Sequence, residues 1–140
     1  MQTAFCQFMK SGESGEVTIF DQIPNIRYHC PGKHPFILSK GPEEVHYAHA
    51  QKAMEFAFGA VKSGAHVLIC DEVLDTVLFG ILEKAELIRL IERCRKRVEL
   101  VLTGRDAPPE VFDLADYVTQ FVQVKHPYYC GSKARKGIEY

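Results

Sequence analysis

The stretch HVLICDEVLD, residues 66–75, decides how the rest of the chain is read. Its apolar residues Val67, Leu68, Ile69 and Cys70 run straight into two carboxylates, Asp71 and Glu72. A short, uninterrupted apolar run is what a strand buried on both faces of a parallel sheet requires. Neighbouring side chains on a strand point to opposite faces, so both acids can approach one site only where the strand stops. Open α/β sheets collect their ligands at these C-terminal strand ends. A carboxylate there suits Mg2+, which takes one or two acids together with phosphate oxygens. The bland alternative is a solvated acid pair or a helix cap, and the spacing leaves it open.

Working outward, strands are expected at 4–9 (AFCQFM), 17–20 (VTIF), 26–30 (IRYHC), 98–103 (VELVLT) and 117–124 (YVTQFVQV). Polar and proline-containing stretches at 11–16 and 31–36 read as a turn and a loop. A helix is expected from near Pro42, with Glu43 and Glu44 in its first turn. Ala53, Phe56, Ala57, Ala60 and Val61 keep its helical period, and Ser63-Gly64 ends it. A second amphipathic helix is expected over 83–97, with Leu87, Ile88, Ile91 and Cys94 on one face. Asp106 is placed to cap a short third helix that begins at Pro108 and Pro109. Strands alternating with helices of this length predict one α/β layered domain over residues 1–140, with a mostly parallel sheet.

The totals exclude several functions. A net charge of −1 gives no global electrostatic case for nucleic acid or an acidic membrane surface. No apolar run approaches the ~20 residues needed to cross a bilayer. The start, MQTAFCQFMK, lacks the pattern of a secretory signal. Five cysteines, none spaced C-x-x-C, argue against a disulfide framework or a zinc knuckle. The expectation is a reducing compartment, the cytoplasm.

A second strand-end signal is LTGRDAPPE, residues 102–110. Gly104 would let the backbone approach a ligand, and Arg105 could fork onto phosphate or carboxylate. The alternative is a turn in which Arg105 pairs with Asp106 or Glu110. His46 and His49, three apart on a helix, could form a metal pair, but a solvated helix face is favoured because no third ligand is nearby. Arg93, Arg95, Lys96 and Arg97 suit the C-terminal end of a helix dipole. The tail cations Lys125, Lys133, Arg135 and Lys136 could grip an anionic ligand, but a solvated tail is the default for such a segment. A magnesium carboxylate usually works beside a phosphate-cradling loop, yet G-x-x-x-x-G-K-[ST] does not occur in this sequence.

Four stretches carry a resemblance: CQFMKSG, VLICDEV, VLTGRDAPPEVFDLADYVTQF and VKHPYYCGSKARKGIEY. Together, in this order from about residue 4 to residue 140, they resemble the ATP:corrinoid adenosyltransferases of cobalamin biosynthesis and salvage, the type with a P-loop fold. The resemblance implies a three-layer P-loop NTPase-like domain that transfers the 5′-deoxyadenosyl group of ATP to a Co(I) corrinoid. It implies ATP and corrinoid as substrates and Mg2+ as cofactor. It also implies a homodimer and a separate cobalt-reducing protein as partner. By matching motifs, Glu72 corresponds to the magnesium-side carboxylate. Asp71, Thr103, Gly104, Arg105 and His126 correspond to the nucleotide side. Phe36, in the loop GKHPF, corresponds to the corrinoid side. No catalytic residue is assigned, because the strong nucleophile belongs to the corrinoid. Members of the family carry a strand, the phosphate loop and a helix before the stretch that matches CQFMK. This chain is therefore expected to be a truncated domain, inactive alone, or a non-catalytic relative that binds corrinoid or serves as an oligomer partner.

Overall fold

A computed structural model describes residues 1–11, 15–35, 37, 40–133 and 135. Strand β1 is Thr3–Gln7, helix α1 Gly15–Phe20, strand β2 Ile26–His29 and helix α2 Glu44–Lys62. Strand β3 is Val67–Asp71, followed by helices α3, Val73–Leu78, and α4, Lys84–Cys94. Strand β4 is Glu99–Leu102, helix α5 Pro109–Leu114, and a 3-10 turn covers Pro127–Cys130. The strands form one all-parallel sheet in the order β2-β1-β3-β4. This α/β architecture is consistent with a three-layer P-loop-like domain.

The two faces of the sheet differ. Ala4 and Cys6 of β1 and Leu68 and Cys70 of β3 are buried on one face, where α2 packs on β1 and β3 and α4 on β4. Ala53, Met54, Ala57 and Ala60 of α2 and Leu87, Leu90, Ile91 and Cys94 of α4 complete this core. The small residues of α2 let its backbone come close, and the Cys6 thiol donates to the Ala53 carbonyl at 3.6 Å. The five cysteines are free. Burial raises the Cys6 and Cys70 thiols well above the ordinary range and Cys94 to about 11, so they pack as small apolar groups.

On the opposite face the register aligns Phe5 with Ile69 and Ile69 with Val101. Helix α1 covers only one end of it: the Phe20 ring lies 4.8 Å from Phe5 and 5.4 Å from Tyr28. Val101 remains 43% exposed. Purely parallel sheets are normally covered on both faces.

Three expectations are corrected. Residues 17–20 are helix, not strand: VTIF forms most of α1, and Phe20 joins an aromatic cluster that the β-branched composition did not announce. Residues 117–124 alternate as a strand would but form none. Tyr117, Phe121 and Val124 are each more than nine-tenths exposed, because β3 is the neighbour that β4 pairs with and no described strand runs beside 117–124. The second amphipathic helix stops at Cys94 rather than 97. Lys96, at φ 61°, turns the chain back toward β4.

Candidate functional site

A chain of hydrogen bonds crosses the C-terminal ends of all four strands. It starts on β2, where the Tyr28 hydroxyl donates to Gln7 Oε1 at 2.6 Å. Gln7, fully buried at the end of β1, donates from Nε2 to Glu16 at 2.8 Å and to Asp71 Oδ2 at 3.4 Å. Asp71, at the end of β3, accepts from the Thr103 hydroxyl at 2.9 Å. That hydroxyl, just beyond β4, also accepts the Glu72 N–H at 2.9 Å. Asp71 is thus held by donors on both sides, while the half-buried Glu72 side chain is held by Lys10.

Glu72 sits between β3 and α3 with φ 60° and ψ 21°. Non-glycine residues pay strain in this left-handed region, and such strain clusters at functional sites. Its carboxylate lies 3.3 Å from Lys10 Nζ. The pair is uneven. Burial works against the Lys10 charge, but Glu72, Asp71 and Glu16 outweigh it and hold the ammonium's pKa above its ordinary value. Burial also pushes the Glu72 carboxyl up; Lys10 pulls it back, and Asp71 and Asp75 add to the rise. The contact itself favours both charges alike; the two groups differ because the surrounding acids support the ammonium, whereas burial and the same acids work against the carboxylate.

Thr103 N–H donates to the Cys70 carbonyl and the Thr103 carbonyl accepts the Leu74 N–H, both at 3.2 Å. These bonds bring the chain after β4 against the start of α3. Gly104, at φ 156°, fits there because a Cβ would lie 2.5 Å from Leu74 Cβ. The next residue, Arg105, gives its N–H to Asp75 Oδ1 at 3.3 Å, and its side-chain Nε lies 3.9 Å from the same oxygen. The partner of Arg105 is thus Asp75, neither Asp106 nor Glu110. Glu110 pairs with Lys84, and Asp106 Oδ1 accepts the Ala107 N–H at 2.9 Å.

Most of the Arg105 side chain stays exposed. It lines an open cleft of about 550 Å3 with Gln123, His126, Tyr128 and Tyr129. His126 Nδ1 accepts the Tyr128 N–H at 3.1 Å, and its ring meets Tyr129 edge-on, centroids 6.3 Å apart. A cation beside aromatic faces suits a ligand carrying both a ring and negative charge.

The fold therefore gathers Asp71, Glu72, Thr103, Gly104 and Arg105 at the C-terminal end of the sheet, and Arg105 lines the same cleft as His126. Phe36 lies outside the described residues. Sequence reasoning missed Gln7, Lys10, Tyr28 and Asp75. The signal for Gln7 was a lone amide closing an apolar strand, and for Asp75 an acid one helical turn past Asp71. No group of three or more His, Cys, Asp or Glu side chains shaped to hold a metal occurs among the described residues. A Mg2+ ion that takes one or two carboxylates and completes its shell with phosphate and water fits Glu72 where it replaces Lys10 on that carboxylate.

Residues 1–140 match the sequence model of the family described as ATP:corrinoid adenosyltransferase BtuR/CobO/CobP. The chain is similar to a corrinoid adenosyltransferase of Pseudomonas aeruginosa, 29% identical over 143 residues that cover 100% of this chain and 70% of the relative. A corrinoid adenosyltransferase of Sinorhizobium is 30% identical over 95 residues, covering 66% of this chain and 44% of that one. The corrinoid adenosyltransferase CobA of Salmonella typhimurium is 31% identical over 74 residues, covering 53% and 38%. The matches thus span 70% of the first relative's length and less than half of the other two.

Proposed function

Because the chain belongs to the ATP:corrinoid adenosyltransferase family, we propose that it serves the transfer of the 5′-deoxyadenosyl group of ATP to the Co(I) centre of a reduced corrinoid, in cobalamin biosynthesis or salvage. The observation that carries this reading is the family match over residues 1–140. In the reaction the cobalt electron pair attacks the ribose 5′ carbon. A Co–C bond forms, the C5′–O5′ bond breaks, and triphosphate leaves with the electron pair.

The chain's residues then divide the work. Glu72 would hold Mg2+, with Asp71 as its neighbour; the ion supplies charge for the leaving triphosphate. Thr103 fixes Asp71 and the Glu72 backbone. Arg105 and His126 hold the nucleotide from the cleft, and the Tyr128 and Tyr129 rings offer faces for its base. Position 36 stands on the corrinoid side. Setting the corrinoid in line with C5′ is a matter of orientation, the kind of contribution that places reacting atoms rather than activating them.

The sequence has no phosphate-cradling glycine loop, so this reading includes a phosphate-loop segment that residues 1–140 do not supply. The half-covered sheet face around Val101 and the exposed segment 117–124 support room for such a segment. The free cysteines support a reducing, cytoplasmic setting. A cobalt-reducing protein completes the system as a partner, and a homodimer is the proposed assembly. The exposed Tyr117, Phe121, Val122 and Val124 also favour a second reading, a non-catalytic relative that acts as an oligomer partner.

The test is adenosylcorrinoid formation from chemically reduced Co(I) corrinoid and magnesium-ATP. The chain is used with a phosphate-loop segment from a relative joined in front, with Glu72 and with Glu72→Gln. The reading expects turnover in the parent and its loss in the variant, which keeps size and drops charge. Full activity of Glu72→Gln at saturating magnesium-ATP would remove Glu72 from the site. An extended parent that binds corrinoid without turnover would favour the second reading.

A further inference from the structure

Three of the six histidines pack against one another beside the end of β2. The His34 ring centroid lies 4.6 Å from that of His46 and 5.8 Å from that of His49. His46 is fully buried and His49 more than nine-tenths buried. The expectation of a solvated face for His46 and His49 is thereby overturned, although the three rings are not set for a metal ion. His34 belongs to the loop 30–35, and His46 and His49 to the first turns of α2.

The polar atoms of this trio are committed or stranded. His46 Nδ1 lies 2.8 Å from the Glu43 N–H, a group that can only donate. Nδ1 is therefore an acceptor, and Nε2 carries the proton it gives to the Pro35 carbonyl at 3.0 Å. The Glu43 carbonyl, 3.2 Å from Nδ1, already accepts the His46 backbone N–H at 2.9 Å. His34 Nδ1 lies 3.0 Å from the Pro35 carbonyl, which leaves its Nε2 as the bare ring nitrogen. His34 Nε2, His49 Nδ1 and the nearby His29 Nε2 are buried without a partner. Gly32 completes the contact: a Cβ there would come within 3.1 Å of His49 Nε2.

We propose that His34, His46 and His49 form a latch that holds loop 30–35 against the start of α2 while the His34 and His49 rings are neutral and releases it when those two rings take up protons. The surrounding charges favour release. Lys52 faces His29 and His49. The Cys30 thiol, in the loop itself, is engaged with the Lys10 and Gly32 carbonyls. The neighbouring acid, Glu43, meets His46 in a capping box: its side chain accepts the His46 backbone N–H, and its own backbone N–H donates to the His46 ring. Burial holds His34 and His49 below the ordinary imidazole range. For His34 the Pro35 carbonyl works the other way, while His46 and His49 lower it further; for His49, Lys52 and His46 do so.

The sign follows. A ring whose pKa is lower in the latched loop binds fewer protons there than in the released loop. The latch is therefore intact above about pH 6.5 and weakens as the pH falls below it. The loop leads directly to position 36, so under the proposed function the latch would govern the corrinoid side of the site. The latch itself does not depend on that function.

Amide hydrogen exchange of the 140-residue chain by NMR tests it, from pH 7.5 to 5.0, corrected for intrinsic rates. The readout is the Glu43 amide, which His46 protects, with amides of β1 and β3 as reference. Its protection should fall roughly tenfold per pH unit below about pH 6.5 for each proton taken up, while β1 and β3 hold theirs. In His34→Gln, with one ring gone from the trio, the fall should be shallower. Constant Glu43 protection would overturn the proposal. So would a fall shared with β1 and β3, which marks global unfolding, or an unchanged slope in His34→Gln.

Discussion

Gly104 separates two reasons for which a strand can end in glycine. From TGRD it reads as a place for a ligand to approach the backbone. In the fold the tight neighbour is internal: a Cβ would collide with Leu74 Cβ at 2.5 Å and come within 3.0 Å of the Asp75 nitrogen. The glycine thus lets the end of β4 close on α3, and this closure sets Thr103 on Asp71 and Arg105 on Asp75. Gly104→Ala is expected to destabilise the chain by about 1–3 kcal/mol through overpacking, with added strain at positive φ. A urea midpoint within error of the parent would show that α3 gives way without cost. At this scale the acids, the threonine and the arginine were legible, because strand-end chemistry is written in adjacent residues. Their partners were not. Gln7 and Asp71 are 64 residues apart, and only the β1–β3 register makes them neighbours.

The elements were legible where period and length agreed. Helices α2 and α4 follow their apolar spacing, and β3 and β4 their short apolar runs. Residues 17–20 failed because four β-branched and aromatic residues fit either a strand or one helical turn, and the packing of Phe20 on Phe5 and Tyr28 decided for the helix. Residues 117–124 failed for the opposite reason. The alternation is real, but a strand exists only beside another strand, and here none of the described residues provides one. What is left is an exposed apolar ribbon, the kind of surface that natural sheets normally cover. The 140-residue chain is expected to self-associate through it as concentration rises. Phe121→Asp combined with Val124→Asp should shift sedimentation toward the monomer without changing the unfolding midpoint, since both side chains are almost wholly exposed. Unchanged association would place the sticky surface elsewhere.

At the scale of the whole molecule, the 140-residue chain is expected not to adenosylate corrinoid by itself. Its strand ends offer Glu72 and Asp71 on one side and Arg105 and His126 on the other. In phosphate-binding α/β folds a nest of backbone N–H groups, a lysine and a hydroxyl stand around the triphosphate, and the sequence contains no such loop. Lys10 does not replace it, because that ammonium is engaged by Glu72. Two carboxylates repel a triphosphate, and a divalent ion held by one or two acids offsets only part of that repulsion. Each donor missing where charge develops can cost ~2.7–4 kcal/mol of barrier. Several missing together would remove most of the catalysis, although such losses do not add simply. The loop after β2 and the tail cleft are still part of the chain, so weak corrinoid or nucleotide binding is expected to survive where turnover does not. The measurement is adenosylcorrinoid formation from reduced Co(I) corrinoid and magnesium-ATP by the purified chain, beside the chain extended with a phosphate-loop segment. Turnover near that of the extended chain would mean that residues already at these strand ends, Lys10 and Arg105 first among them, hold the triphosphate without a cradle.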